Sequence, residues 1–132
     1  MIFIDTSAIY ALADRNDSNH RLARRRLESI LREGEEMLTH NYVLVESIAL
    51  IHRRCGKPAA LELAGSSASF EIEWVDEAVH QQAVRELSQT TRVLSFVDVV
   101  SFVVMRRRRV DTVFAFDADF ADHGFHLYPW RT

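Results

Sequence analysis

Cysteine is almost missing from this chain. Cys55 is the only one, so no internal disulfide can form and a reducing, cytoplasmic compartment is expected. Cys55 sits beside Gly56 without an evident His and Asn set, which argues against a thiol nucleophile. No uncharged stretch is long enough for a membrane helix, since the apolar run Val99 to Met105 leads straight into four arginines. No basic region precedes the N-terminal apolar residues and Asp5 interrupts them, so a secretory signal is not expected. Lysine is represented by Lys57 alone among 16 basic residues. An excess of positive charge is lacking too: against 19 acidic residues the net charge is −3, which disfavours a general nucleic-acid coat. The histidines, His20, His40, His52, His80, His123 and His126, supply no zinc signature. No internal repeat, low-complexity tract or interdomain linker divides the sequence.

What is present is a globular composition. Hydrophobic residues make up 48% and charged residues 27%, which excludes a disordered class. A chain of 132 residues can bury roughly two thirds of its unfolded surface, so residues 1–132 are expected to form one domain. The arginines cluster at Arg24 to Arg26, Arg53 and Arg54, and Arg106 to Arg109. Arginine suits bidentate phosphate contacts. Solvated helix faces and helix C-termini account for most of them without a ligand.

Met1 to Ile4 is apolar with no alternation, the pattern of a strand buried on both faces. Thr6 to Ala13 reads as a short helix, and Asn19 to Arg32 as an amphipathic one ended by Gly34. Met37 to Thr39 is a brief strand; Asn41 can cap a helix over Tyr42 to Arg54, which Gly56 stops. Pro58 to Ser67 is expected to be helical, Phe70 to Val75 a strand, and Glu77 to Ser88 a helix capped by Asp76. Ser95 opens the most apolar helix, which ends near Arg106 to Arg109. Thr112 to Phe116 is again a continuous apolar strand, and His126 to Tyr128 an edge strand. This alternation predicts an α/β fold with a mostly parallel central sheet covered on both faces. Asp5 and Asp117 would then end two strands on the same side of the sheet, the side on which ligands bind in open α/β sheets.

Several acids do not fit a solvent role. Asp5 is either a site residue or an N-cap, and Thr6 or Ser7 can cap in its place. Glu46 has Tyr42, Val43, Ala49 and Leu50 three and four residues away, none charged, so it is expected on the buried side of its helix. There it would need a cation or several donors, unless it snorkels to water. Asp98 lies among valines and phenylalanines, with a capping box on Ser95 as its ordinary explanation. Asp117 ends a strand and Asp119 follows two residues later, by itself a weak pattern. Gathered in one pocket, Asp5, Glu46, Asp98 and Asp117, with Asp119, would repel one another. A hard cation such as Mg²⁺ or Mn²⁺ removes that conflict. The chemistry implied is metal-assisted hydrolysis of a phosphodiester.

Ile-Asp-Thr-Ser at the start, Glu46 inside an apolar helix, Asp98 at the head of another and Phe-Asp-Ala-Asp-Phe near the end, in this order, resemble the PIN-domain ribonucleases. The chain looks most like the VapC-type toxins of toxin–antitoxin pairs. The resemblance covers nearly the whole chain and implies a three-layer α/β/α sandwich. It further implies a pocket at the strand C-termini that binds Mg²⁺ or Mn²⁺ and cuts single-stranded or looped RNA. By this likeness Asp5 and Asp98 match the principal metal-binding acids, and Glu46 and Asp117 complete the pocket. Asp119 matches a less uniform fifth acid, and Ser7, or else Thr6, a polar neighbour of the first aspartate. A homodimer and a small cognate antitoxin are the implied partners. Two alternatives stand beside it. A small-molecule phosphatase or phosphoacceptor domain would want an acidic pair at the first strand and a late lysine, whereas Thr6 and Ser7 follow Asp5 and Lys57 is the only lysine. A non-catalytic PIN-like module, binding RNA or protein, predicts missing pocket acids, whereas all four are present.

Overall fold

The computed structural model describes residues 1–129. β1 (Ile2–Ile4), buried throughout, lies at the centre of a five-stranded sheet. It pairs in parallel with β2 (Met37–His40) on one side and β4 (Thr112–Phe114) on the other. β3 (Glu71–Glu73) extends the sheet beyond β2 and β5 (His126–Leu127) beyond β4, both in parallel, giving the order β3-β2-β1-β4-β5. Seven helices pack around this sheet in the α/β/α manner: α1 (Thr6–Ala13), α2 (His20–Arg32), α3 (Asn41–Cys55), α4 (Lys57–Ser66), α5 (Glu77–Gln89), α6 (Phe96–Arg108) and α7 (Asp119–Asp122). The chain leaves β1 towards β2 and returns to its other side with β4. The strand order therefore reverses between β1 and β4, and the loops leaving their C-terminal ends diverge there into a crevice.

Helix character follows burial. α2 buries Ala23 and Ile30 and turns its arginines outward. In α6 every residue from Val99 to Met105 is buried, the state of a helix that is apolar all round. Its arginine-rich end closes on Arg109 in the left-handed conformation (φ 55°). Arg106 pairs with Glu86, while Arg108 donates to Glu73 Oε1 at 2.8 Å and Glu71 Oε1 at 2.6 Å. Two members of the cluster thus tie α6 to α5 and β3.

Several boundaries differ from expectation. β2 runs one residue further, to His40, and His40 rather than Asn41 caps α3. Asn41 turns away: its Oδ1 accepts from the Val75 amide at 2.6 Å, which takes Val75 out of the expected third strand. His40 is fully buried. Its Nδ1 accepts from the Val43 amide (3.3 Å), so the ring proton is on Nε2 and is donated to Ser101 Oγ (2.8 Å). The Ser101 hydroxyl passes its own proton to the Val97 carbonyl at 2.9 Å. The imidazole is a strut between α3 and α6. β4 ends at Phe114 instead of Phe116, because the Phe116 amide leaves the ladder and donates to Ser7 Oγ.

Candidate active site

β1 delivers Asp5 into the crevice almost wholly buried, with 3% of its surface exposed. Its two oxygens have different fates. Oδ2 caps α1, accepting from the Ser7 amide (3.2 Å) and the Ser7 hydroxyl (2.8 Å). Oδ1 is buried with no partner, as is the neighbouring Thr6 Oγ1. One oxygen therefore makes the cap, and the other is left without a donor. Ser7 Oγ also accepts from the Phe116 amide at 2.9 Å, and the Asp5 amide donates to the Phe114 carbonyl at 3.1 Å. These bonds stitch the exit of β1 to the exit of β4. Burial pushes the Asp5 carboxyl above its ordinary range; the Ser7 hydroxyl and amide oppose the shift, and the charge of Asp117 adds to it.

Asp98 arrives from the first turn of α6, where its amide donates to Ser95 Oγ at 3.0 Å. Loss of hydration, then the charges of Asp5 and Asp117, push its carboxyl up to about 7. Asp117 follows β4, and its Oδ1 accepts from the Asp119 amide at 2.9 Å. Asp119 opens α7, four residues long and too short to hold its shape alone. Phe120 anchors it. That ring is fully buried, edge-on to Phe102 at 5.2 Å between centroids and 6.4 Å from Phe3. The Asp119 carboxyl is raised by desolvation and by Asp117 beside it.

Asp98, Asp117 and Asp119 each offer a carboxylate oxygen, all within 4.8 Å of one another, and Asp5 and Asp117 act electrostatically on Asp98. Among the described residues no arginine or lysine forms an ion pair with any of these four acids. A buried carboxylate oxygen without a donor beside three converging carboxylates fits a hard divalent cation and little else.

Glu46 is not where its neighbours suggested. It is exposed, because the buried stripe of α3 is Val43, Leu44, Ser47 and Ile51, and the apolar residue next to it, Val45, is itself 66% exposed. It is not among the three acids whose oxygens converge. Asp119 is, and its only signal in the sequence was the Asp-x-Asp spacing. Ser7 emerges as the residue that fixes Asp5. Ser7→Ala removes one donor from Asp5 Oδ2 and the acceptor of the Phe116 amide. It is expected to weaken divalent-cation affinity by about 10- to 100-fold, as loss of a group that orients a ligand does; titration calorimetry with Mn²⁺ checks this.

The PIN domain family matches residues 2–126 of this chain. The 23S rRNA-specific endonuclease VapC20 of Mycobacterium tuberculosis, in each of two strains, is 38% identical over 128 residues, spanning 95% of both chains. The crystal structure of Mycobacterium tuberculosis VapC20, described as a sarcin-ricin loop cleaving toxin, superposes with a TM-score of 0.85 at 36% identity. The superposition covers 95% of this chain and 96% of that one. With the sheet order, the acid-lined crevice and these likenesses in agreement, this chain belongs to the PIN-domain family of ribonucleases, in its VapC branch.

Proposed function

We propose that this protein is an endoribonuclease toxin that uses Mg²⁺ or Mn²⁺ to hydrolyse a phosphodiester in looped RNA, and that a cognate antitoxin restrains it. The observation that carries the reading is the set Asp5, Asp98, Asp117 and Asp119: four acids with no arginine or lysine paired to them among the described residues, in the crevice where the strand order reverses. Asp5 Oδ1, Asp98 and Asp117 are the atoms and residues to hold the cation, with Asp119 beside them. When bound, the ion activates a water and stabilises the leaving oxygen. Ser7 keeps Asp5 from rotating away, and the Asp117 to Asp119 turn presents both carboxylates together. Burial and the neighbouring acids push the Asp98 carboxyl up to about 7, and a cation held beside it would favour the ionised form. Glu46, exposed on α3 and outside the converging acids, is assigned to positioning the attacking water by the family likeness.

VapC20 is named for 23S rRNA and described as cleaving the sarcin-ricin loop, and a structured ribosomal loop is the substrate class we assign by that likeness. The partner reading has its own support. A groove of about 520 Å³ between α1, α2 and α4 is lined by Leu12, Leu27, Leu63 and Phe70 with Arg15, Arg24 and Glu62 beside them, suited to an amphipathic segment such as an antitoxin tail. Val45 and Leu61, 66% and 62% exposed, leave an apolar face on α3 and α4 for a second subunit. No described helix is long and apolar enough to cross a membrane. Purified protein incubated with ribosomal RNA is expected to cut it with Mg²⁺ or Mn²⁺ and not in EDTA. No cleavage with either ion, under conditions where the Asp5→Asn variant is equally inert, would refute the assignment.

A further inference from the structure

An acid-lined cleft repels the polyanion it is meant to cut, so a cation at its mouth is needed to bring RNA in. Arg106 and Arg108 do not meet that need. They lie two to three turns along α6 from Asp98, about 12–15 Å, and are bound to Glu86, Glu71 and Glu73.

Arg92 is placed differently. It lies between α5 and α6, three residues before the Ser95 that caps the Asp98 helix, and its Nη2 donates to Asp122 Oδ2 at 2.9 Å. Asp122 closes α7, the helix that Asp119 opens. The pair therefore joins the two segments that carry Asp98 and Asp119 into the cleft. Its charge reaches the cluster, drawing the Asp119 carboxyl down against the effects that raise it. Both side chains are about half exposed, 51% and 46%. An exposed ion pair of this kind contributes little to stability, so a denser negative charge can take the guanidinium at small cost. A phosphate is that charge, and the planar fork of arginine fits it with two parallel hydrogen bonds.

We infer that Arg92 contacts a phosphate of the bound RNA at the mouth of the acid cleft, and that Asp122 holds its guanidinium ready until RNA displaces the carboxylate. This rests on the endoribonuclease reading. In it Arg92 is a substrate-binding residue and Asp122 its rest position.

The test is binding of a fluorescein-labelled RNA hairpin by fluorescence anisotropy in EDTA, across a salt series, with cleavage in Mn²⁺ measured separately. Arg92→Ala is expected to bind about tenfold more weakly, the loss of a charged hydrogen-bonded contact. Its plot of log affinity against log salt should be shallower by about 0.7–0.9. Arg92→Lys should keep the wild-type slope and recover part of the affinity. Asp122→Asn separates substrate contact from a mere clasp: it frees Arg92 and is expected to bind RNA as tightly as wild type or tighter. Equal weakening in Arg92→Ala and Asp122→Asn, or no change in Arg92→Ala, would overturn the inference while wild-type cleavage leaves the nuclease standing. If wild type binds the hairpin but cuts nothing, the nuclease reading fails and Arg92 is judged on the binding slopes alone. If it neither binds nor cuts, both fail.

Discussion

Asp98→Asn is expected to cut RNA about 10²- to 10⁴-fold more slowly than wild type, while making the cation-free protein more stable. The first effect follows from the several kcal/mol of charge stabilisation that a bound cation contributes to phosphodiester hydrolysis. The second follows from the acid's surroundings. In the folded protein the Asp98 carboxyl titrates at about 7, against 3.8 for the group in water, so the fold binds its proton more tightly than the unfolded chain does. Stability from this group is therefore fully present below 3.8 and lost as pH rises through 7. Because Asp98 is only partly buried, solvent screening reduces the loss to about 1–2 kcal/mol. Asparagine keeps the shape and removes the charge. Its advantage in melting temperature should be a few degrees above pH 7, absent near pH 4, and abolished when Mn²⁺ is added to wild type. In bacteria, wild type should arrest growth and Asp98→Ala should not. An Asp98→Asn variant that cuts RNA at the wild-type rate would remove Asp98 from the site.

The second large effect belongs to His40. Burial pushes its imidazole down to about 3, against 6.5 in water, so the unfolded chain takes up the proton first. Stability is complete above 6.5 and is lost as pH falls from there towards 3. By pH 5 the loss reaches about 2 kcal/mol at 1.36 kcal/mol per unit. Asp98 moves the other way over much of the same interval in the cation-free protein, so the wild-type curve is flattened. Asp98→Asn should expose a steeper acid slope in urea midpoints measured from pH 7.5 to pH 5. His40→Asn can still cap α3 but cannot titrate, so in the cation-free protein the contribution of Asp98 is left unopposed and stability should rise as pH falls over that range. A His40→Asn curve that runs parallel to that of wild type would assign the acid lability elsewhere.

These two groups also mark what the sequence discloses and what it conceals. The sheet was legible because Ile2–Ile4 and Thr112–Phe114 are apolar at every position or nearly so, a pattern that only strands covered on both faces sustain. Asp5 was legible as a residue with two candidate roles; one of its oxygens makes the cap and the other is left without a donor. The burial of Glu46 was misread because an apolar window does not say which side faces the core: Val45 is apolar and exposed, Ser47 polar and buried. α7 was missed since four residues carry no period, and what holds them is Phe120 in a cluster with Phe3, Phe102 and Phe125, drawn from distant parts of the chain. His40 was passed over because histidine is not a preferred N-cap. It caps here only because Ser101 satisfies its other nitrogen.

The bond from the Phe116 amide to Ser7 Oγ spans 109 positions of the chain. A polypeptide emerging from a ribosome can fold α1 early, but until its final strands are released it has nothing to complete the pocket around Asp5. Assembly of the acid cluster is thus deferred until residues as far along the chain as Asp117 and Asp119 have emerged.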